Sequence, residues 1–109
     1  MKLPIDAIIA QAKIRGYLLK WLPENDKSLF LGQAGYIISA PERLELDLRE
    51  QILPLEASYV GSSSFGDRYE IRGELTGPNG KSLAVVTIWM TEYETGQTKF
   101  ITLFPDKES

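Results

Sequence analysis

The sequence predicts an α+β fold, with N-terminal helices packed on one face of a four-stranded antiparallel sheet. Leu44, Leu48 and Ile52 recur every four residues ahead of Pro54, the spacing of one helix face. Tyr69, Ile71, Gly73 and Leu75 alternate with Arg68, Glu70, Arg72 and Glu74, the period of a half-buried strand. The turn-rich stretches "TGPNGK" and "ETGQ" leave only a few residues between consecutive strand candidates, and links that short join antiparallel neighbours. A chain of 109 residues fits one domain, 1–109, with a helical part over 1–53 and the sheet over 54–105.

Taken in order, Ile8, Ile9, Ala12, Tyr17 and Leu18 approximate helical spacing between Ile5 and Leu19, with Gly16 as a weak point. "PENDK" reads as a loop in which Asp26 caps a short helix running through Gln33, ahead of "AGY". "APERLELDLREQI" is the clearest helix. It opens at Ser39 or Pro41 and stops at Pro54. The strand candidates are "EASYVGS", "DRYEIRGEL", "SLAVVTIWMTEY" and "KFITLFP".

The last strand is apolar on both sides, with Phe100, Thr102 and Phe104 pointing one way and Ile101 and Leu103 the other. An ordinary half-exposed strand is apolar on one side only. The parity predicts that Ile101 and Leu103 join Val86, Ile88 and Met90 against the helices. Val85, Thr87, Trp89, Phe100, Thr102 and Phe104 then share the outer face with Arg68 and Arg72.

Composition narrows the chemistry. Hydrophobic residues make up 43% and charged residues 25%, enough apolar material for a packed core without staples. There is no cysteine, which removes disulfides and thiolate chemistry. There is no histidine either, so acid–base work falls to Lys, Arg, Tyr, Thr, Ser or carboxylates. Asp6, Lys13 and Arg15 interrupt the first 21 residues, so they form no signal-peptide core, and no stretch is long enough to span a membrane. The expectation is a soluble, cytoplasmic protein.

The net charge of −3 opposes nucleic-acid binding, but it is unevenly spread. Residues 1–40 hold Lys2, Lys13, Arg15, Lys20 and Lys27 against Asp6, Glu24 and Asp26. A local basic surface is compatible with that distribution. "GPNGK" lacks the spacing of a phosphate-binding loop and opens no helix. Glu92 and Glu94 flank a turn without a third ligand, so no metal site is expected, and no cofactor.

An ordered set of short motifs extends this reading. Lys13, Ile14, Tyr17, Leu18 and Leu19 come first, followed by Lys27, Phe30 and Gly35. Tyr69, Gly73, Leu75, Pro78 and Gly80 mark a strand and turn, Val85 to Trp89 a second strand, and Ile101, Thr102, Leu103, Phe104 and Pro105 the close. The set covers nearly the whole chain. It resembles a bacterial domain family of unknown function found as stand-alone proteins and at the C-termini of toxin-like and phage-head proteins. The helix-then-sheet layout and the ending are also similar, by fold-level analogy, to the barnase–EndoU–colicin–RelE group of ribonuclease toxins.

That resemblance implies a toxin-like, metal-independent ribonuclease with an RNA substrate, held by a cognate antitoxin or other protein partner. A threonine or serine on a late strand often lies in the active cleft of that group, which points to Thr102. The family's closing tyrosine is Phe104 here, so a phenolic proton donor is missing at that position. RNA cleavage requires a base, a cation for the phosphate and a proton donor. The candidate catalytic residues are Lys13, Glu70, Arg72 and Thr102, with Glu70 as base. Lys27, Arg68 and Trp89 are the candidate substrate-binding residues, with Trp89 as a stacking platform for a base. Each also has a purely structural reading: a solvated strand face for Arg68 to Arg72, core for Trp89, a solvated lysine for Lys13. The alternative function is a non-catalytic interaction module that binds a partner through an apolar sheet face or an edge strand.

Overall fold

Leu44, Leu48 and Ile52 are fully buried, so their four-residue repeat is the face that the longest helical segment turns to the core. The computed structural model describes residues 1–23 and 27–107. This segment begins as α3 (Pro41–Asp47) and continues as a π-helical turn, Leu48–Ile52. Pro41 occupies the first helical turn, where a missing N–H costs nothing, and Glu42 lies there toward the positive end of the helix dipole. The wider turn closes when the Leu53 N–H donates to the Leu48 carbonyl at 2.9 Å, and Pro54 follows.

The first helix, α1 (Gln11–Lys13), likewise widens into a π-helical turn, Ile14–Leu18. A short α2 spans Ser28–Gly32, and its expected cap, Asp26, lies outside the described residues. The N-terminal helix starts later than the apolar spacing after Ile5 predicts. Ile8 instead forms a parallel bridge to Lys99: its N–H donates to the Thr98 carbonyl, and the Phe100 N–H donates to its carbonyl, both at 2.8 Å. An edge strand leaves backbone groups unpaired, and satisfying them at this edge outweighs a further helical turn.

The strands are β1 (Ser58–Ser62), β2 (Gly66–Thr76), β3 (Ser82–Glu92) and β4 (Thr98–Pro105). They form one antiparallel sheet in the order β1-β2-β3-β4, with the helices N-terminal to it. Across β2 and β3, Tyr69 pairs with Trp89, Ile71 with Thr87, Gly73 with Val85 and Leu75 with Leu83. This row of pairs faces the helices. Gly73 belongs there because a Cβ would lie 2.5 Å from Leu55 Cδ1 and 3.3 Å from Ile52 Cδ1. A bare strand at that point lets the end of the third helical segment lie against the sheet.

The predicted parity of β3 is therefore reversed. Val85, Thr87 and Trp89 point inward, while Ile88 and Met90 point outward and stay half-buried. β4 is divided by a bulge: Trp89 pairs with Phe100 but Ile88 pairs with Thr102, so Ile101 is an extra residue. The bulge turns Phe100 and Leu103, three positions apart, into the same core. Two apolar sides of one strand thus serve one interior. Trp89 and Phe100 meet edge to face, with centroids 5.3 Å apart and planes at 77°. The Thr87 hydroxyl, buried in that row, donates to the Ile71 carbonyl at 2.9 Å and accepts from Trp89 Nε1 at 2.8 Å.

Candidate functional site: a cationic corner on the outer sheet face

The bulge also decides what faces outward. Thr102 lies across Ile88 from Glu70, and Phe104 lies across Val86 from Arg72. These four side chains occupy two adjacent rows of the outer face, so β2 and β4 contribute to one surface. The N-terminal segment brings α1 to the same corner, because Ile8 is pinned to the edge of β4 just before the chain turns into helix.

On that helix Lys13 and Tyr17 are four residues apart and neighbours in space, with Lys13 Nζ 5.9 Å from the Tyr17 ring centroid. Tyr17 packs partly on the core while its hydroxyl reaches the outer face, where Thr102 Oγ1 donates to it at 3.3 Å. Lys27 Nζ stands 6.0 Å from the Tyr17 centroid and 6.0 Å from that of Phe104. Two ammonium groups, a phenol, a hydroxyl and an aromatic face thus meet from three separate parts of the chain. Cation–π attraction of this kind contributes about 0.5–1 kcal/mol at exposed positions, so it orients the lysines without tying them up.

Beyond Phe104, a shallow cleft of about 390 Å³ is lined by Arg72, Val86, Phe104, Pro105, Asp106 and Lys107. Arg72 bridges it. Its Nε donates to Glu70 Oε1 at 2.6 Å and its Nη1 to Asp106 Oδ1 at 2.9 Å. The Glu70 hydrogen bond above all, then Asp106, holds the guanidinium charged even more firmly than usual. Asp106 is held in turn, since its N–H donates to the Ala84 carbonyl and extends the sheet pairing past β4. The corner holds two lysines and an arginine bridged to two carboxylates, with two hydroxyls beside them that can exchange protons.

Of the residues singled out in the sequence, Lys13, Lys27, Glu70, Arg72 and Thr102 gather at this corner. Arg68 shares the outer face but sits opposite Met90, four positions from Arg72, or about 13 Å along the strand. Trp89 is a correction. It is completely buried, its ring packs on Phe100 and its N–H is bonded to Thr87, so no base can stack on it. Tyr17 was present in the quoted motif without a role, and only the fold around β4 puts its hydroxyl beside Thr102. Glu92, weighed above for a cation, is ion-paired to Lys99 at 3.1 Å. Among the described residues no three carboxylates lie together as metal ligands would, and no helix is long and apolar enough to cross a membrane.

Comparison with solved structures places the same fold in a chain of a "Contact-dependent growth inhibition toxin - immunity protein complex from Klebsiella pneumoniae 342". That match has a TM-score of 0.57 at 16% identity, and covers 92% of this chain and 100% of that one. At such identity the likeness is one of fold. No curated protein sequence matches. The family model described as Domain of unknown function (DUF6883) matches residues 4–107, nearly end to end, and the chain belongs to that family.

Proposed function

We propose that this domain is a toxin-system ribonuclease that cleaves RNA without a metal ion, using the corner formed by Lys13, Lys27, Glu70, Arg72 and Thr102. The observation that carries the reading is the convergence of two lysines and an arginine with a carboxylate and two hydroxyls, from segments as far apart as residues 13 and 102. The fold it shares with a chain of a toxin–immunity complex supports a place in a toxin system, with a protein partner that restrains it.

In this reading the cations neutralise the phosphate, worth most where the site excludes water. Glu70 lies in the row beside Thr102 and accepts the proton of the 2′-hydroxyl; its Oε2 makes no hydrogen bond among the described residues. Thr102 orients the phosphate. The products are a 2′,3′-cyclic phosphate and a 5′-hydroxyl end.

The test is induction of the wild-type chain, Arg72→Ala and Thr102→Val in bacteria, following growth, RNA length on gels and folding by thermal melt. Wild type is expected to arrest growth and shorten RNA, and both variants to relieve the arrest while remaining folded. Normal growth and intact RNA at good soluble yield of wild type overturn the reading. That outcome favours the partner-binding module, for which the observation is β1. Among the described residues its outer edge carries no further strand, and Tyr59 and Val60 on it are exposed.

A further inference from the structure

We infer that Tyr17 is the general acid of this site, giving its phenolic proton to the 5′-oxygen that leaves when RNA is cut. The inference rests on the ribonuclease reading above and adds to it a residue that sequence reasoning left without a role.

Three observations carry it. Thr102 Oγ1 shares its one proton between the Tyr17 oxygen at 3.3 Å and the Leu103 carbonyl at 3.4 Å, and the phenol's own proton has no acceptor among the described residues. The separation of 3.3 Å is longer than an ordinary O–H···O bond, which leaves an incoming oxygen room to compete for both hydroxyls. Lastly, Ile88 lies between Glu70 and Thr102 in the sheet register, and is itself only half-buried.

A phosphate resting over Ile88 therefore has the Glu70 carboxylate on one side and the Tyr17–Thr102 pair on the other. Two strand spacings separate those flanks by roughly 10 Å of backbone. In-line transfer sets acid and base oxygens at most about 9 Å apart, the length of two hydrogen bonds and two partial phosphorus–oxygen bonds laid end to end. Two strand spacings are of that order. Lys13 and Lys27, about 6 Å from the Tyr17 ring, leave the phenol in place while bringing positive charge to the phosphate.

The 2′-oxygen loses its proton to Glu70 and forms a bond to phosphorus. The bond from phosphorus to the 5′-oxygen breaks, its electron pair stays on that oxygen, and the oxygen takes the Tyr17 proton. The protein is left with a protonated Glu70 and a Tyr17 phenolate, which exchange a proton through solvent to restore the starting state.

The experiment uses the full chain, first on total bacterial RNA to map a cut. It then uses an oligoribonucleotide spanning that cut, made with either an ordinary linkage or sulfur in place of the bridging 5′-oxygen. A thiolate leaves without being protonated, so the sulfur substrate has no need of an acid. Tyr17→Phe is expected to lose about 10²–10⁴-fold in rate on the oxygen substrate and to regain nearly wild-type rate on the sulfur substrate. Equal loss on both substrates means that Tyr17 only positions other groups, and overturns the inference, as does full activity of Tyr17→Phe on the oxygen substrate. Thermal melts separate either result from unfolding, and Thr102→Val, which keeps the phenol, is expected to show no such sulfur rescue. Absence of cleavage by wild type on any RNA removes the ribonuclease reading itself, and this inference with it.

Discussion

On the side of the sheet toward the helices, Ile71, Thr87, Trp89 and Leu103 are wholly buried, and among the described residues no buried side-chain polar atom lacks a partner. One row over, on the other side of the same strands, Glu70, Ile88 and Thr102 remain half-exposed; Glu70 is ion-paired to Arg72 at 2.6 Å, while the Thr102–Tyr17 contact is long and Lys13 lies only in loose cation–π contact. The inner face uses its polar atoms to close a core; the outer face pairs Arg72 with two carboxylates at the surface and holds Lys13 and Lys27 only by loose contacts. Losses on the inner face should therefore appear as instability, and losses on the outer face as altered function in a folded protein.

The largest expected effect is that of Trp89→Ala. Removing a fully buried aromatic leaves a cavity against Phe100, and the unfolding free energy should fall by about 3–5 kcal/mol in equilibrium urea denaturation. Unchanged stability with lost RNA cleavage would instead return Trp89 to the outer face and break the contrast.

Thr87→Val comes next. It keeps the shape but leaves the Trp89 N–H without an acceptor inside the core, at a cost of about 1–3 kcal/mol in the same measurement. A neutral result would mean that the indole N–H finds a partner elsewhere.

Arg72→Lys sharpens the other half of the comparison. Stability should stay within the error of the same measurement, since the site is exposed. Growth arrest should weaken without vanishing, because one ammonium keeps the charge but cannot span Glu70 and Asp106 as the planar fork does. A large loss of stability would make the Arg72 bridge part of the fold's support.

The smallest effect concerns Glu92, on the outer face and away from the corner. Hydrogen bonds from Lys99, foremost, and Thr95 hold its carboxyl below the ordinary range. Its folded value is depressed, so its stabilisation is present above the unfolded carboxylate range and is lost as pH falls through the folded value. Glu92→Gln should slightly flatten the acid limb of melting temperature against pH, the pair being exposed and screened. An unchanged limb would leave the pair without energetic weight.

Much of the fold was legible because its signals are local. Pro41 and Pro54 bracket a helix whose Leu44, Leu48 and Ile52 share one face, and the β2 alternation separates Ile71 from Arg72 without knowledge of any partner. The cluster of Lys13, Lys27, Glu70, Arg72 and Thr102 was named from residue type and motif. Its geometry was not, and neither was the part of Tyr17.

β3 shows why. Val85, Thr87 and Trp89 are less apolar than Val86, Ile88 and Met90, yet they are the set that faces the helices, because Thr87 and Trp89 satisfy each other's polar groups inside the core. The sequence by itself determined the element types, their order, the antiparallel links and the alternation along β2. Only the tertiary structure decided the pairing of Ile71 with Thr87, the extra residue at Ile101 and the docking of Ile8 on β4. Together these send Trp89 inward and bring Tyr17 to Thr102. The physical reason is that a one-residue shift in register moves every side chain of a strand to the other face, while the sequence of that strand alone stays the same.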